Sequence, residues 1–426
     1  MEISTARRWW IGGKIPPAMN FWLTLGIVLF TYIGIALGYW PRLRANRTTI
    51  ALMGAGLLIA TGQVAFRDIG KFLDLDTLIL LFSMMIINAN LRIAGFFKLA
   101  GNALLRFAKT PRAFLAILII ATGILSAFFL NDTICLMFTP LILDLVLAMD
   151  RNPIPYLIAL ATAANIGSTA TLTGNPQNMI IGIASGISYT DFAANLAPVA
   201  LLGLAGVWVV LVLAYPREFR SGDFIVSKLP APRFHKPLLL KSLIVTAGLL
   251  IAFLAGMPIA MAAFLAACVL LFTRRLKPEK VFAEFDWDIL VFFAALFIVT
   301  GSLEVNGITA RLFNLLTSAV KLNAINLSAI TVVLSNLVSN VPAVLLLKPV
   351  VQGLSSPVAG WLTLAAASTL AGNLTLLGSV ANLIVAEIAQ RRRVHLSFWE
   401  YMRTGTIITL ISLAISTLWL QFMIWK

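Results

Sequence analysis

Long apolar runs separated by short basic loops dominate the chain. Runs such as 21–39 and 407–425 approach the roughly 20 apolar residues that span the hydrocarbon of a bilayer. An all-α polytopic membrane protein is therefore predicted. We expect about ten transmembrane helices, at 20–40, 48–66, 77–97, 155–186, 195–215, 238–255, 258–273, 288–305, 358–388 and 404–425.

Two further apolar regions, 112–148 and 324–352, do not fit simple crossings. Each is long enough for two short helices, and each has a polar break in its middle. The breaks read Asn131-Asp132-Thr133 and Ser339-Asn340-Val341-Pro342. Each region is predicted to be a re-entrant hairpin, which enters and leaves on the same side with the polar residues at its tip.

An internal repeat relates the two halves of the chain. Three segments recur in the same order, which chance similarity of apolar sequence does not explain. Residues 73–96 match 285–308, residues 125–145 match 334–354, and residues 160–180 match 364–384. The copies begin on opposite sides of the membrane in the predicted topology. They are therefore predicted to be inverted-topology repeats, as in many secondary transporters.

The repeat divides the chain into four parts. They are an N-terminal segment with the first transmembrane helix (1–46), a first repeat (47–215) with hairpin 112–148 and broken helix 155–186, a cytoplasmic linker (216–237), and a second repeat (238–426) with hairpin 324–352, broken helix 358–388 and the C-terminal helix. Lys and Arg cluster in the loops of one side, which is cytoplasmic by the positive-inside rule. Both termini then lie outside, although Arg7, Arg8 and Lys14 do not fit that placement.

Composition narrows the class of protein. Of the 426 residues, 60% are hydrophobic and 12% charged, whereas a soluble protein carries about 25% charged residues. The net charge of +15 is explained by Lys and Arg residues in the loops, which set the orientation of the protein in the membrane, so no nucleic-acid partner is expected. Cys135 and Cys268 form no metal-binding pattern, and no catalytic or phosphate-binding motif occurs. No enzyme activity, metal or cofactor is expected.

Asp132 is the acidic residue that most needs an explanation. A carboxylate near the bilayer centre costs roughly 2.5–3.5 kcal/mol, and such residues usually mark an ion or proton pathway. Asp132 is therefore a candidate for proton or ion coupling, with a purely structural acceptor as the alternative. The second tip has Val341 at the matching position, so the site is chemically asymmetric.

The broken helices supply the other candidate site residues. Gly and Pro interrupt both segments, and interrupted helices expose backbone groups that bind substrates and ions in transporters. The alternative is that the small residues only let helices pack closely. The candidates for substrate binding are Asn131, Thr133, Thr171, Thr173, Gly174, Asn175, Asn178, Asn340, Thr375, Gly378, Ser379 and Asn382, with Gln177 as a further donor and Lys348 as a charge partner or a side chain reaching to the interface.

Two short amphipathic basic segments, 98–110 and 308–321, follow matching spans. They are predicted to be helices in the plane of the membrane interface, with ordinary loops as the alternative. Such arms would hold a moving hairpin relative to the membrane.

At NDTICLMFTP, ANIGSTATLTGNPQN, SNVPAVLLL and TLAGNLTLLGSVANLIVAE the chain resembles the ion transporter superfamily, and especially ArsB-type arsenite permeases of the branch similar to plant silicic acid efflux transporters. The resemblance implies a homodimer with a scaffold domain and a mobile transport domain, and substrate at the hairpin tips. It also implies location in the cell (inner) membrane, and some relatives pair with a cytoplasmic ATPase. Bacterial arsenite permeases carry acids in the broken helices that are absent here, which leaves Asp132 as the coupling candidate.

The sequence therefore favours proton-coupled efflux of a metalloid oxyacid such as arsenite, antimonite or silicic acid, by an elevator-like mechanism. These solutes are largely neutral hydroxides, which suit a site of amides, hydroxyls and backbone groups. The alternatives are sodium- or proton-coupled transport of a dicarboxylate or inorganic anion, and a passive channel.

Overall fold

The computed structural model describes residues 17–37, 45–105, 110–220, 234–274, 276–319 and 322–425, and all its regular structure in these ranges is helical. The first half contains α1 (Pro17–Leu37), α2 (Arg47–Ala60), α3 (Ile69–Phe72), α4 (Leu75–Ala94), α5 (Phe96–Leu105), α6 (Pro111–Phe128), α7 (Asn131–Ala148), α8 (Ile154–Ser168), α9 (Pro176–Ser185), α10 (Tyr189–Ala214) and α11 (Pro216–Phe219), with a 3₁₀ turn at Phe66–Asp68.

The second half repeats much of this order. It contains α12 (Lys236–Leu254), α13 (Ile259–Leu271), α14 (Pro278–Phe282), α15 (Trp287–Val305), α16 (Ile308–Ala319), α17 (Ala324–Val338), α18 (Asn340–Gln352), α19 (Pro357–Ala371), α20 (Val380–Arg391) and α21 (Phe398–Met423), with a 3₁₀ turn at Leu376–Gly378. Helices α4 to α9 correspond to α15 to α20, so the predicted repeat appears as six matching helices in each half.

Helices occupy all ten predicted spans, and each broken span is divided into two helices. The first-hairpin helices α6 and α7 are also long enough to cross a bilayer, so the re-entrant path of that hairpin stays a prediction. In the described ranges, eight helices are long and apolar enough to cross a bilayer: α1, α4, α6, α7, α10, α12, α15 and α21. Helix α2 ends at Ala60, six residues before its predicted end, because Gly62 adopts a left-handed backbone conformation with φ of 74°. Helix α10 begins at Tyr189 instead of residue 195, because the Ser188 hydroxyl caps it by accepting the Asp191 N–H.

The two hairpin regions form helix pairs close to their predicted ends. Helices α6 and α7 meet at Phe129–Leu130, and α17 and α18 meet at Ser339. The bend of the first hairpin therefore lies just before the predicted tip, and residues 131–133 form the first helical turn of α7. Ser339 has a φ of 77°, a conformation that bends the second hairpin sharply.

The broken helices lie at the centre of the protein. Every residue of α8 is buried, and nearly every residue of α19 is buried as well. An all-round apolar helix with no exposed face belongs in the interior of a bundle. Residues 169–175 separate α8 from α9, and residues 372–379 separate α19 from α20.

Two packing groups can be distinguished. The outer group contains α1, α2, α4, α12, α13 and α15, which pack mainly on one another. The hairpin group contains the two hairpins, the two broken helices, α10 and α21. The cavities described below lie where α4 and the start of α15 face the hairpin group.

The two interface segments are helical. Helix α5 contacts both helices of the first hairpin, and α16 contacts α18 of the second. Residues 106–109 and 320–321, at the ends of the predicted segments, lie outside the described residues, as do most of the linker (221–233) and the basic N-terminal residues. Helix α12 begins at Lys236, inside the predicted linker, because the His235 ring accepts the Leu238 N–H at 3.3 Å and caps the helix.

Candidate functional site

Two asparagines brace the breaks in the two broken helices. The side-chain nitrogen of Asn178 donates to the carbonyl oxygens of Ser168 (3.1 Å) and Thr171 (3.0 Å). Asn382 donates in the same way to Gly372 (2.7 Å) and Thr375 (3.1 Å). Carbonyl groups that a helix break leaves free need donors in a membrane interior. Both asparagines therefore supply the bonds that the interrupted helices lack.

The second helix of each broken pair has its own cap. The Asn175 side-chain oxygen accepts the Asn178 N–H at 2.9 Å at the start of α9, and the Ser379 hydroxyl accepts the Ala381 N–H at 3.2 Å at the start of α20. Asn and Ser are preferred at helix N-caps for this reason. The repeated sequence thus encodes both the break and the restart of each helix.

Asn165 of α8 connects the two halves of the protein. Its side-chain nitrogen donates to the side-chain oxygens of Asn373 (2.9 Å) and Asn382 (3.1 Å). Its oxygen accepts the Ser379 hydroxyl at 3.0 Å and the Asn131 side-chain nitrogen at 2.9 Å. An amide side chain has two donors and two acceptor positions, so Asn165 is fully satisfied.

Thr369 of α19 occupies the matching place in the second half. Its hydroxyl accepts the side-chain nitrogens of Asn175 at 3.2 Å and Gln177 at 3.1 Å. Asn165 bonds to Ser379 while Thr369 bonds to Asn175, and these four residues are two repeat-related pairs. Reciprocal contacts of this kind are those that a two-fold axis generates.

The first hairpin is tied to the first break. The Asn131 backbone N–H donates to the Gly174 carbonyl at 3.1 Å, and the Thr171 hydroxyl donates to the carbonyl of Ala127. A Cβ at Gly174 would lie 2.4 Å from the Ser168 oxygen and 2.8 Å from the Ser126 oxygen. Only glycine fits this close approach of hairpin and break.

The second hairpin is tied less tightly to its break. The Asn336 side chain donates to the Ala371 carbonyl at 3.2 Å. Asn340 is 9% exposed, and its side-chain oxygen has no hydrogen-bond partner among the described residues. Its polar atom is therefore available to a solute at the tip of the second hairpin.

Two cavities meet at the hairpin tips. The larger has a volume of about 380 Å³ and includes Asn88, Arg92, Thr133 and Glu284 in its lining. The smaller has a volume of about 210 Å³ and includes, at its wall, Arg47, Asn131, Gln177, Asp288, Asn340 and Ser379. Asp132, Pro176, Asp286 and Ile289 line both cavities. Asp132 and Asp286 therefore stand at the place where the two spaces join.

Carboxylates outnumber cations around these cavities. Asp132, Glu284, Asp286 and Asp288 line them, against Arg47 and Arg92. Arg92 pairs with Glu284, and Asp288 accepts the Asn46 side-chain nitrogen at 2.8 Å. No basic side chain pairs with Asp132 or Asp286 in the described part of the chain. Burial raises the pKa of Asp286, which precedes α15, and the Asp288 carboxylate raises it further.

The structure separates the predicted site residues into two sets. Asn131, Asp132, Thr133, Asn340 and Ser379 line the cavities. The others lie in the breaks or in the first turn of the helix that follows, where their polar groups or close backbone approach hold the irregular segments together: Thr171, Thr173, Gly174, Asn175, Asn178, Thr375, Gly378 and Asn382. A direct contact of this second set with substrate stays a prediction.

Lys348 lies away from the cavities. It stands eight residues after the start of α18, about 12 Å along the helix, and it lines neither cavity. Its role as a charge partner stays a prediction. Asp144 and Glu387 pair with Arg392 at 2.8 Å and Arg391 at 2.6 Å, in exposed ion pairs.

Several residues of the site escaped sequence reasoning. Asn88, Asn165, Asp286, Asn336 and Thr369 were not among the candidates. The repeat could have indicated Asp286, because this residue aligns with Asp74. An acidic residue repeated at a helix start is, however, also typical of an N-cap. The described residues contain no group of three or more His, Cys, Asp or Glu side chains that could hold a metal ion.

Comparison with known proteins agrees with this architecture. Residues 32–371 match the family described as "Citrate transporter" (CitMHS). The chain is 31% identical to the silicon efflux transporter LSI3 of Oryza sativa subsp. japonica, over 88% of this chain and 92% of that protein. It is 24% identical to a transporter named arsB from Dictyostelium discoideum, over 87% and 86%.

Two solved transporters share the fold at low sequence identity. The Alcanivorax borkumensis YdaH transporter, described as having an unusual topology, has a TM-score of 0.58 and 16% identity, and the match covers 96% of this chain and 98% of that one. Neisseria gonorrhoeae MtrF, described among antimetabolite efflux pumps, has a TM-score of 0.58 and 13% identity, over 98% and 96%. The resemblance to the ion transporter superfamily is thus confirmed. The chain belongs to the citrate transporter family and is a multi-pass secondary transporter, not an enzyme.

Proposed function

We propose that the protein exports a small neutral metalloid hydroxide, such as arsenite, antimonite or silicic acid, in exchange for protons. The observation that carries this proposal is the lining of the two cavities, where Asp132 and Asp286 have no cationic partner among the described residues and amide groups surround them. Hydroxyl groups of a neutral hydroxide can donate to the carboxylates and to amide oxygens.

An anionic substrate fits this lining less well. At 4 Å, two like charges repel by about 4 kcal/mol even at an effective dielectric constant of 20. A carboxylate solute beside Asp132 and Asp286 would experience this repulsion twice unless both acids were protonated. The silicon efflux activity in the name of the rice relative is in line with a neutral hydroxide as substrate.

Asp132 is the proposed proton carrier. It lies on the first turn of α7, in the hairpin group, and it lines both cavities. The same carboxyl can therefore contact the solute and carry the proton. In the proposed cycle, movement of the hairpin group against the outer group carries this carboxyl between the two faces of the membrane. The homodimer and the cytoplasmic ATPase partner that the resemblance implies belong to the same proposal, and the mass of the purified complex would check them.

The second candidate is a sodium- or proton-coupled transporter of a dicarboxylate, citrate or an inorganic anion. Arg47 favours it, because this guanidinium lines the smaller cavity opposite Asn131 and Asn340. The family description points in the same direction. Asp288 lines the same cavity, however, and its carboxylate offsets the charge of Arg47.

The deciding experiment is transport by the purified protein in inside-out vesicles with an acidic lumen. We expect arsenite or silicic acid to accumulate above its concentration in the medium, and a protonophore to abolish the accumulation. Sodium-dependent accumulation of citrate or succinate would establish the second candidate instead. Transport that only runs down the electrochemical gradient of the solute, and never against it, would identify a passive channel and contradict both proposals.

A further inference from the structure

Asn88 is a buried amide without a partner. It lies within the apolar helix α4 of the outer group, it is 4% exposed, and neither atom of its side-chain amide has a hydrogen bond among the described residues. It lines the larger cavity together with Asp132, Thr133 and Asp286. Leaving a buried amide unpaired is unfavourable, so its position at a cavity points to a ligand that supplies the missing bonds.

Asp286 lies on the same side of the cavity. It comes directly before α15, the other outer-group helix of the repeat, and it lines both cavities. An amide offers both donors and acceptors, and a carboxylate offers acceptors. The two side chains together match a solute with hydroxyl groups, facing Asp132 and Thr133 of the hairpin group across the space.

The repeat-related positions in the other half are already occupied by protein partners. Asn88 aligns with Thr300, whose hydroxyl hydrogen-bonds to the Tyr32 hydroxyl at 3.3 Å. Asp286 aligns with Asp74, whose carboxylate accepts the Thr77 N–H at 3.1 Å. The Thr300 hydroxyl is therefore engaged within the protein, and the Asp74 side chain caps α4, whereas the Asp286 side chain makes no capping bond at the start of α15.

The loops near the larger cavity are those predicted to be cytoplasmic. Arg92, in the last turn of α4, lines the cavity, and the Ala94 carbonyl accepts the N–H of His235, just after the basic linker. In the predicted topology, Asn88 and Asp286 therefore lie towards the cytoplasmic face, and their counterparts Thr300 and Asp74 lie towards the external face.

We propose that Asn88 and Asp286 are substrate contacts of the outer group in the cytoplasm-facing state alone, so that the solute is bound more tightly from the cytoplasm than from outside. This inference rests on the proposed function, in which the proton gradient sets the direction of net transport. The two contacts lower the KM on the cytoplasmic face, and the solute loses both when the hairpin group moves to the other face. Substrate recognition is then shared between a moving and a stationary part of the protein.

The test compares the KM for solute presented on each face, using inside-out and right-side-out vesicles, both with an acidic lumen, and arsenite or silicic acid as the probe. Asn88→Leu should raise the KM on the cytoplasmic face about tenfold and change it less than twofold on the other face. Asp286→Asn should act in the same direction on the same face. Equal changes on both faces, or no change on either, would overturn the proposal.

Two controls separate binding from folding. Ser83→Ala removes a buried hydroxyl from the same helix, where it donates to the Ile79 carbonyl at 2.7 Å, and should leave both KM values within twofold of wild type. Thr300→Val should do the same, and a raised KM on the outer face would contradict the asymmetry. Asn88→Leu should also unfold at the same temperature as wild type or higher, because an unpaired polar group is replaced by an apolar one of similar size. A lower unfolding temperature with an unchanged KM would show a structural role.

The choice of solute keeps this proposal separate from the proposed function. Citrate and succinate are tested in the same vesicles. If one of these anions is transported and arsenite and silicic acid are not, the proposed function fails. The ratio of the two KM values for that anion then decides the role of Asn88, and an unchanged ratio in Asn88→Leu rejects it.

Discussion

Asn178 and Asn382 make the same pair of hydrogen bonds in the two halves of the protein. Each side-chain nitrogen donates to the carbonyl oxygens ten and seven residues earlier in the chain, at distances between 2.7 and 3.1 Å. The duplicated TLxGxxxN sequence, which ends at these two residues, therefore corresponds to one duplicated structural device. A helix can stop and restart inside the membrane because one amide replaces the bonds lost at the break.

Replacing either brace should destabilise the protein. Asn178→Leu removes the side-chain donor of the buried Thr171 carbonyl and leaves the Ser168 carbonyl only the longer bond from the Asn175 side chain at 3.4 Å. An unpaired buried group costs about 1–3 kcal/mol. We expect a clearly lower unfolding temperature in detergent, and a similar loss for Asn382→Leu. Asn195→Leu is the matched control, because Asn195 is half-buried and, among the described residues, its side chain donates to the Asp191 carbonyl of its own helix alone. Unchanged unfolding of both brace variants would show that the breaks are held by other contacts.

Gly174 and Gly378 should tolerate a methyl group to different degrees. The added Cβ would lie 2.4 Å from a backbone oxygen at Gly174 but 2.9 Å from the nearest atom at Gly378. Overpacking typically costs about 1–3 kcal/mol, and backbone atoms cannot rotate away. Gly174→Ala should therefore lower the unfolding temperature more than Gly378→Ala does.

The control for this pair is Gly248→Ala in α12. Nothing lies within 4 Å of a Cβ at that position, so alanine should be neutral or stabilise the helix by about 0.5–1 kcal/mol. Equal tolerance of alanine at Gly174 and Gly248 would contradict the close packing of the first hairpin against the first break.

The bond between Asn165 and Ser379 should couple the two halves energetically. In a double-mutant cycle of Asn165→Ala and Ser379→Ala, we expect a coupling of about 0.5–1.5 kcal/mol, the net value of one hydrogen bond. The measurement is chemical unfolding in detergent of the four proteins. Asn165 and Ser83 lie in different helices and share no hydrogen bond in the described part of the chain, so the cycle of Asn165→Ala with Ser83→Ala should be additive. A coupling as large as the first would mean that both cycles report on global unfolding only.

Much of the architecture follows from local sequence. The hairpins span 111–148 and 324–352, against 112–148 and 324–352 predicted, because proline, glycine and polar residues end each apolar run. The breaks lie within the predicted segments for the same reason. These features depend on residues that are close together in the chain, so they can be predicted from one sequence.

The partners of individual polar residues do not follow in this way. Asn165 bonds to Asn373, 208 residues away, and no local pattern indicates that contact. Asn88 and Asn90 lie two residues apart in the same apolar helix, yet Asn88 lines the larger cavity and Asn90 does not. Which face of α4 meets the hairpin group depends on how the other helices pack, and the periodicity of an almost uniformly apolar helix does not show it.

Two aspartates on α7 allow a role in proton coupling to be distinguished from the effect of losing a surface charge. Asp132 lines both cavities, whereas Asp144 pairs with Arg392 at 2.8 Å and is about half exposed. Asp132→Asn keeps the shape of the side chain but cannot exchange a proton, so proton-driven accumulation of solute should fall at least tenfold while exchange of labelled for unlabelled solute continues. Asp144→Asn loses only a surface ion pair, worth about 0–1 kcal/mol, and should accumulate solute normally. Both rates are measured in the same vesicles with and without a pH gradient. Gradient-driven accumulation that persists in Asp132→Asn would remove this residue from the coupling step, and loss of exchange as well would assign it to solute binding instead.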